Sequence, residues 1–226
     1  MELKPNAERA KIAIVLISLV SIIQIISILF DFLQIVLLKN PFSIIEAEEN
    51  DFRQQVIGIL LVVFYIISVV TFILWFRRAY FNLHTKANNL EYTEGWAAGS
   101  WFIPIVNLFR PYRIMNELYL ETQKILSQSN PKYKTIVSTQ FVGIWWTLWI
   151  ISHIINNISN KIALKAKTIE DLSTSSFVSI LASTTSIILA AITIKVIYDY
   201  SKIEIDFYNI KEDEMPITIE NQEAEE

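Results

Sequence analysis

The sequence predicts an all-α fold, a polytopic membrane helical bundle of four transmembrane helices, and three observations carry that prediction. The 226 residues are 53% hydrophobic and only 19% charged, with a mean hydropathy of +0.39, too apolar and charge-poor for an ordinary soluble domain. The apolar residues come in blocks: residues 12–30, 56–76, 135–160 and 172–194 contain no Asp, Glu, Lys or Arg, giving runs of 19, 21, 26 and 23. Each run is long enough to cross a hydrocarbon core of about 30 Å as a helix. Lys and Arg, finally, are distributed unevenly about those runs. With no cysteine and a net charge of -4, the composition excludes a soluble enzyme, a nucleic-acid module with a basic face and a disulfide scaffold.

The first span, about 12–36, follows Lys4, Arg9 and Lys11 and so imitates a signal peptide. Its apolar run is too long for a signal h-region and no A-x-A-like site follows, so it reads as a retained helix. The second span, 56–76, ends in Trp75-Phe76-Arg77-Arg78, an aromatic and cationic border suited to a membrane interface. A 58-residue connection, 77–134, leads to the third span at 136–158. A short loop with Lys161, Lys165 and Lys167 leads to the fourth at 172–194. Residues 1–210 make one membrane domain. Residues 211–226 form an acidic tail with too few apolar groups to fold alone.

Cationic residues resist translocation, and this sets the expected orientation. With both termini and the 77–134 connection inside, cytoplasmic parts carry 14 Lys and Arg and external loops carry 5. The expected location is therefore a cytoplasmic membrane with cytoplasmic termini. Forty isoleucines, with abundant Asn and Lys, suit an AT-rich bacterial genome.

Within the connection, residues 95–109 form a 15-residue charge-free run holding two of the four glycines, two of the six tryptophans and Pro104. It is too short to cross a membrane and too apolar to lie in water, so an interfacial or re-entrant segment is expected. Pro104 predicts a break, and Asn107 offers a side chain to satisfy freed backbone groups or to cap the next helix. That helix is expected from Pro111, with Met115, Leu118, Tyr119, Thr122, Ile125 and Leu126 on one face and Arg113, Asn116, Glu117, Gln123 and Lys124 on the other. Arg113 and Glu117 stand four apart, a pair worth about 0.3–0.5 kcal/mol when exposed.

Several residues in this region fall in a distinctive order. Trp75-Phe76-Arg77-Arg78-Ala79-Tyr80, Asn82-Leu83, Gly95-Trp96, Trp101 through Leu108, Arg110-Pro111-Tyr112 and Glu117-Leu118 together resemble the signature of the domain-of-unknown-function 4328 family. The resemblance implies a bacterial multi-helix membrane protein, and the family layout would run from the second helix to the fourth. It implies a location and a fold type rather than a mechanism.

The candidate site drawn from these residues comprises Arg77, Arg78, Trp96, Gly99, Trp101, Pro104, Asn107, Arg110, Pro111, Arg113 and Glu117. The arginines serve as topology anchors or recognise anionic headgroups or a phosphorylated ligand beside Trp96 and Trp101. Asp31 is expected at the external edge of its helix, and His153 in a polar contact with a neighbouring helix. Small residues at spacing four (Ser175, Ser179, Ser183, with Ala182, Ser186 and Ala190) predict close helix packing, with Trp145 and Trp149 set against them. Two histidines and no cysteine leave no zinc site, and no cofactor, Walker loop, dinucleotide fingerprint or Ser-His-Asp set is legible. The expectation is a non-catalytic module binding a partner helix, lipid or small ligand, with membrane lipid, a second copy or another membrane protein as partner and no nucleic acid. A small oligomeric transporter or channel subunit, and an intramembrane enzyme using Glu117 or His84, stand as alternatives.

Overall fold

The computed structural model describes residues 2–87, 89–130, 133 and 137–210; the acidic stretch 211–226 and Ile136 lie outside these. The elements are α1 (Ala7–Leu38), α2 (Ile44–His84), α3 (Trp96–Gly99), a 3-10 turn (Val106–Leu108), α4 (Arg110–Ser129), α5 (Gln140–Lys165) and α6 (Ile169–Tyr208), with no strand among the described residues. Helices α1, α2, α5 and α6 are long and apolar enough to cross a membrane, so the chain is a multi-pass membrane protein.

The helices outrun the apolar runs. Helix α2 starts twelve residues before Val56, at a capping box in which the Ser43 hydroxyl accepts from Glu46 N and the Glu46 carboxylate accepts from Ser43 N. Glu46, Glu48, Glu49, Asp51 and Arg53 ride on its first turns, because charge ends a membrane span without ending a helix. Helix α6 likewise continues past Ile194 to Tyr208, and Lys195 pairs with Asp199 one turn on at 2.7 Å. At 1.5 Å per residue these two helices are about 60 Å long, twice a hydrocarbon core.

Helix α1 packs between α2 and α6, and α6 between α1 and α5. Contacts along the spans are small or polar. The Ser179 hydroxyl donates to Asp31 at 2.7 Å, Gln34 Nε2 donates to Ser176 Oγ at 3.0 Å, and Asn156 Nδ2 donates to Ser186 Oγ at 3.0 Å. The small residues of α6 thus admit α1 on one side and α5 on the other, as their spacing predicts. Asp31 lies near the end of its helix but is buried, and Gln34 one turn on accepts from Asn50 Nδ2, on the charged first turns of α2. Trp145 and Trp149 also have aromatic ring partners, described below. His153 is exposed and stacks on Trp149 of its own helix, 5.4 Å between centroids at 7°, and Ser152 and Asn156 make the contact to α6 instead.

The most deeply buried side chains, including Trp75, Phe76, Tyr80, Tyr119, Tyr200 and Phe207, gather at one end, where α4 packs against α2, α5 and α6. We call it the proximal end; it also holds the described ends of the chain. All six residues predicted for the apolar face of α4 are buried there. Gln123, predicted to face away, is buried as well. Its amide forms a two-point clamp on Val137, donating to the carbonyl at 3.0 Å and accepting from the N–H at 3.2 Å. Tyr119 donates to the Val196 carbonyl at 2.5 Å, and burial raises the pKa of its hydroxyl. Along the spans, by contrast, many large apolar side chains such as Ile25 and Val62 are exposed, which lipid tolerates and water does not.

Candidate functional site

Residues 95–109 fold into a finger between α2 and α5. Helix α3 is one turn, Ser100 to Ile105 form a tight reversal, and the 3-10 turn leads into α4. Ile105 sits at φ 70°, the one non-glycine with positive φ among the described residues. This is the break that Pro104 predicts, displaced by one residue. At the tip Phe102 and Ile105 are each 74% exposed, with Ile103, Leu108 and Phe109 also open.

Trp101 fixes the root of the finger. Its ring stands edge-on to Phe72 at 5.7 Å and Phe76 at 6.4 Å on α2, and to Trp145, Trp146 and Trp149 on α5 at 6.3, 6.2 and 5.9 Å. Its indole N–H donates to Ala97 O at 3.1 Å, and Trp146 Nε1 donates to Leu108 O at 3.1 Å. Phe72 and Trp149 belong to charge-free runs, so the root of the finger lies level with apolar parts of two spans.

The polar half of the site is organised by residues 91–96. The Tyr92 carbonyl lies 3.0 Å from both the Tyr80 hydroxyl and His84 Nε2, and the Tyr92 hydroxyl donates to Glu91 at 2.5 Å. Glu117 accepts from Tyr80 OH at 2.5 Å and from Glu91 N at 2.6 Å. The single Tyr80 proton goes to the nearer Glu117, and burial followed by this bond holds the Tyr80 hydroxyl well above its usual pKa. Arg110 stacks on Trp96 at 3.9 Å and lies 5.1 Å from the Tyr92 ring. Arg113 reaches Glu91 at 3.6 Å, and Arg77 reaches Glu94 at 3.0 Å.

The sequence-predicted residues therefore divide. Arg77, Trp96, Arg110, Arg113 and Glu117 cluster around residues 91–96; Trp101 and Pro104 lie on the finger; Arg78 sits half-buried on α2. Two expectations are corrected. Arg113 and Glu117 do not pair, because Glu91 and Tyr80 hold them from opposite sides. Asn107 caps nothing: Phe109 occupies the N-cap of α4 without a side-chain bond, and the helix begins at Arg110 with Pro111 in its first turn, close to the expected start. Gly99, at the end of α3, has open space where a side chain would stand.

Sequence reasoning missed a second polar centre at the same end. Glu204 on α6 is 3% exposed and accepts from Asn82 Nδ2 at 3.0 Å and Asn6 Nδ2 at 3.1 Å. Asn82 also clamps the backbone of Lys4, accepting from its N–H at 3.0 Å and donating to its carbonyl at 2.9 Å. Tyr208 OH donates to the same carbonyl. These partners are 78 to 204 residues apart in sequence, and only Asn82 lay inside a recognised pattern.

Glu204 stands ten residues past Ile194, outside the charge-free span. Burial pushes its pKa up to about 7 against the two amides, which lower it. A folded-state pKa above the ordinary value of 4.5 means the native state binds its proton more tightly than the unfolded chain. This contribution to stability is complete below about pH 4.5 and is lost as pH rises through 7. The buried, unpartnered Asn6 Oδ1 becomes an acceptor for that proton if its amide turns over. The expected result is a thermal midpoint in detergent that falls from pH 5 to pH 8, with Glu204→Gln flattening the slope; an equal slope in both proteins would refute it.

No curated protein and no solved structure matches the chain. A family model described as domain of unknown function (DUF4328) matches residues 42–202, from just before the capping box of α2 into α6. It takes in the finger, the cluster around residues 91–96 and Asn82, and leaves out α1 and Glu204. With most of its length matched, the chain belongs to the domain of unknown function (DUF4328) family.

Proposed function

We propose that the protein is a non-catalytic module of the cytoplasmic membrane of a bacterium, with both termini inside, that engages lipid at the cytoplasmic interface through residues 95–118. One observation carries this reading. The finger exposes Phe102 and Ile105 while standing level with Phe72 and Trp149, inside the charge-free runs of two spans. In water such a tip is a liability; against acyl chains it is a wedge. The surplus of Lys and Arg at the proximal end favours the cytoplasmic side. Lipid is preferred to a partner helix because the tip presents scattered large side chains rather than a groove or a small-residue stripe. Glu117 and His84, the acid-base candidates, are bonded to Tyr80 and the Tyr92 carbonyl and serve to hold residues 91–96 in place.

The chain has no cysteine, so single cysteines can be placed from position 95 to 112 and labelled from each side of the membrane. Positions 102 and 105 are expected to resist a membrane-impermeant maleimide from both sides, while 110 and 112 react from the cytoplasmic side only. Free reaction at 102 and 105 from inside would put the finger in water and end the lipid reading. Reaction at 110 or 112 from outside would reverse the orientation.

A further inference from the structure

We infer that Arg9, Arg77 and Arg78, with Lys4 at the rim, form a binding site for a phosphate group, carried by an anionic lipid or free in solution.

The site is assembled by the N-terminal segment, which lies outside the family match, running alongside the last turns of α2. Two anchors fix it: Asn82 clamps both backbone groups of Lys4, and the Arg9 guanidinium donates to the Leu74 carbonyl at 3.1 Å. On α2, Leu74 is followed at helical spacing by Arg77 and Arg78, then Phe81, so all four share one face. Lys4 Nζ stands 4.5 Å above the Phe81 ring. Arg9 and Lys4 thus bracket the two α2 arginines from either end, gathering four cations.

Acidic compensation is thin. Arg77 pairs with Glu94 at 3.0 Å, but both side chains are largely open, at 53% and 37%, and such a pair contributes little. Arg78 makes no hydrogen bond or ion pair with any described residue. Partial burial, then repulsion from Arg78 and Arg77, lowers the pKa of Arg9, as expected where guanidinium groups crowd with one exposed carboxylate among them. Planar forks converging from two helices suit phosphate oxygens, which accept bidentate bonds that a lone lysine cannot supply. The patch begins one residue past Phe76, where the charge-free run of α2 ends, the depth of phospholipid phosphates at a membrane surface.

The inference rests on the proposed lipid setting only for the identity of the natural ligand; the arginine geometry is independent of the finger. The full chain in dodecyl maltoside is titrated with dioctanoyl phosphatidylglycerol, dioctanoyl phosphatidylcholine and inorganic phosphate, with thermal midpoint as the readout. Phosphatidylglycerol is expected to raise the midpoint at lower concentration than phosphatidylcholine. Arg9→Gln/Arg78→Gln should weaken that response about tenfold, and Lys161→Gln/Lys165→Gln, which removes two charges at the opposite end, should not. Saturation by inorganic phosphate at matching concentration assigns the site to free phosphate; saturation by the lipid alone assigns it to a headgroup. Should the double variant fold poorly for want of the Arg9 to Leu74 bond, Arg78→Gln alone carries the test. An unchanged response in the arginine variants, or an equal loss in the lysine control, overturns the site. Because this titration is blind to sidedness, labelling from outside at position 110 would sink the cytoplasmic reading and leave the phosphate site standing.

Discussion

Trp101→Ala is expected to cost about 3–5 kcal/mol of stability, the largest loss from any single side chain of the finger. Five aromatic rings from α2 and α5 surround this indole, at centroid distances from 5.7 to 6.4 Å. All five contacts are edge-on, the arrangement that ring quadrupoles favour, and such pairs add about 0.5–1.5 kcal/mol each beyond the area they bury. Truncation empties the junction where the Phe72 and Trp145 rings meet, so the loss falls on α2 and α5 together rather than on the finger alone. Trp101→Phe keeps a ring there and should recover roughly half. Equilibrium unfolding in mixed micelles measures both variants, and a cost below about 1 kcal/mol for alanine would show that the finger does not join the two spans.

Asn82→Leu is the second large effect, expected at about 3–5 kcal/mol at pH 8, because the ionised Glu204, only 3% exposed, loses a donor that little water can replace. The same change frees the backbone of Lys4 and removes a contact to Tyr208 at 2.7 Å. At pH 5, where Glu204 holds its proton, the penalty should shrink. Asn82→Leu/Glu204→Leu should recover much of it, since removing both members of a buried polar pair is far cheaper than orphaning one. A double-mutant cycle at both pH values checks this, and strictly additive costs would dissolve the coupling.

The spans were legible because lipid imposes a simple rule: a run without charge must be about twenty residues long. Helix ends were not, since the first turns of α2 are helical in water and held by Ser43 and Glu46 rather than by apolarity. The finger was legible as a charge-free segment with a break, because Pro104 acts locally. Its anchorage was not, because the rings around Trp101 come from residues 72 to 149. Glu117 shows the same division within one helix. Its position four residues from Arg113 suggests a local pair, yet Tyr80, 37 residues away, wins with a 2.5 Å bond. The apolar face of α4 followed from its period, and Gln123 escaped that period because a buried amide that meets both backbone groups of Val137 leaves little polarity unpaired.

Ile105 has a consequence for the order in which the parts are stabilised. A β-branched residue at φ 70° holds its backbone at a cost of about 1–3 kcal/mol, and its own side chain, 74% exposed, recovers little of that within the protein. If acyl chains take up Ile105 and Phe102, the bilayer becomes a reagent in the folding equilibrium, binding the bent conformer and not the relaxed one, and so shifting it by mass action. The loop then completes its folding upon arrival at the membrane, and its shape reports on the lipid around it.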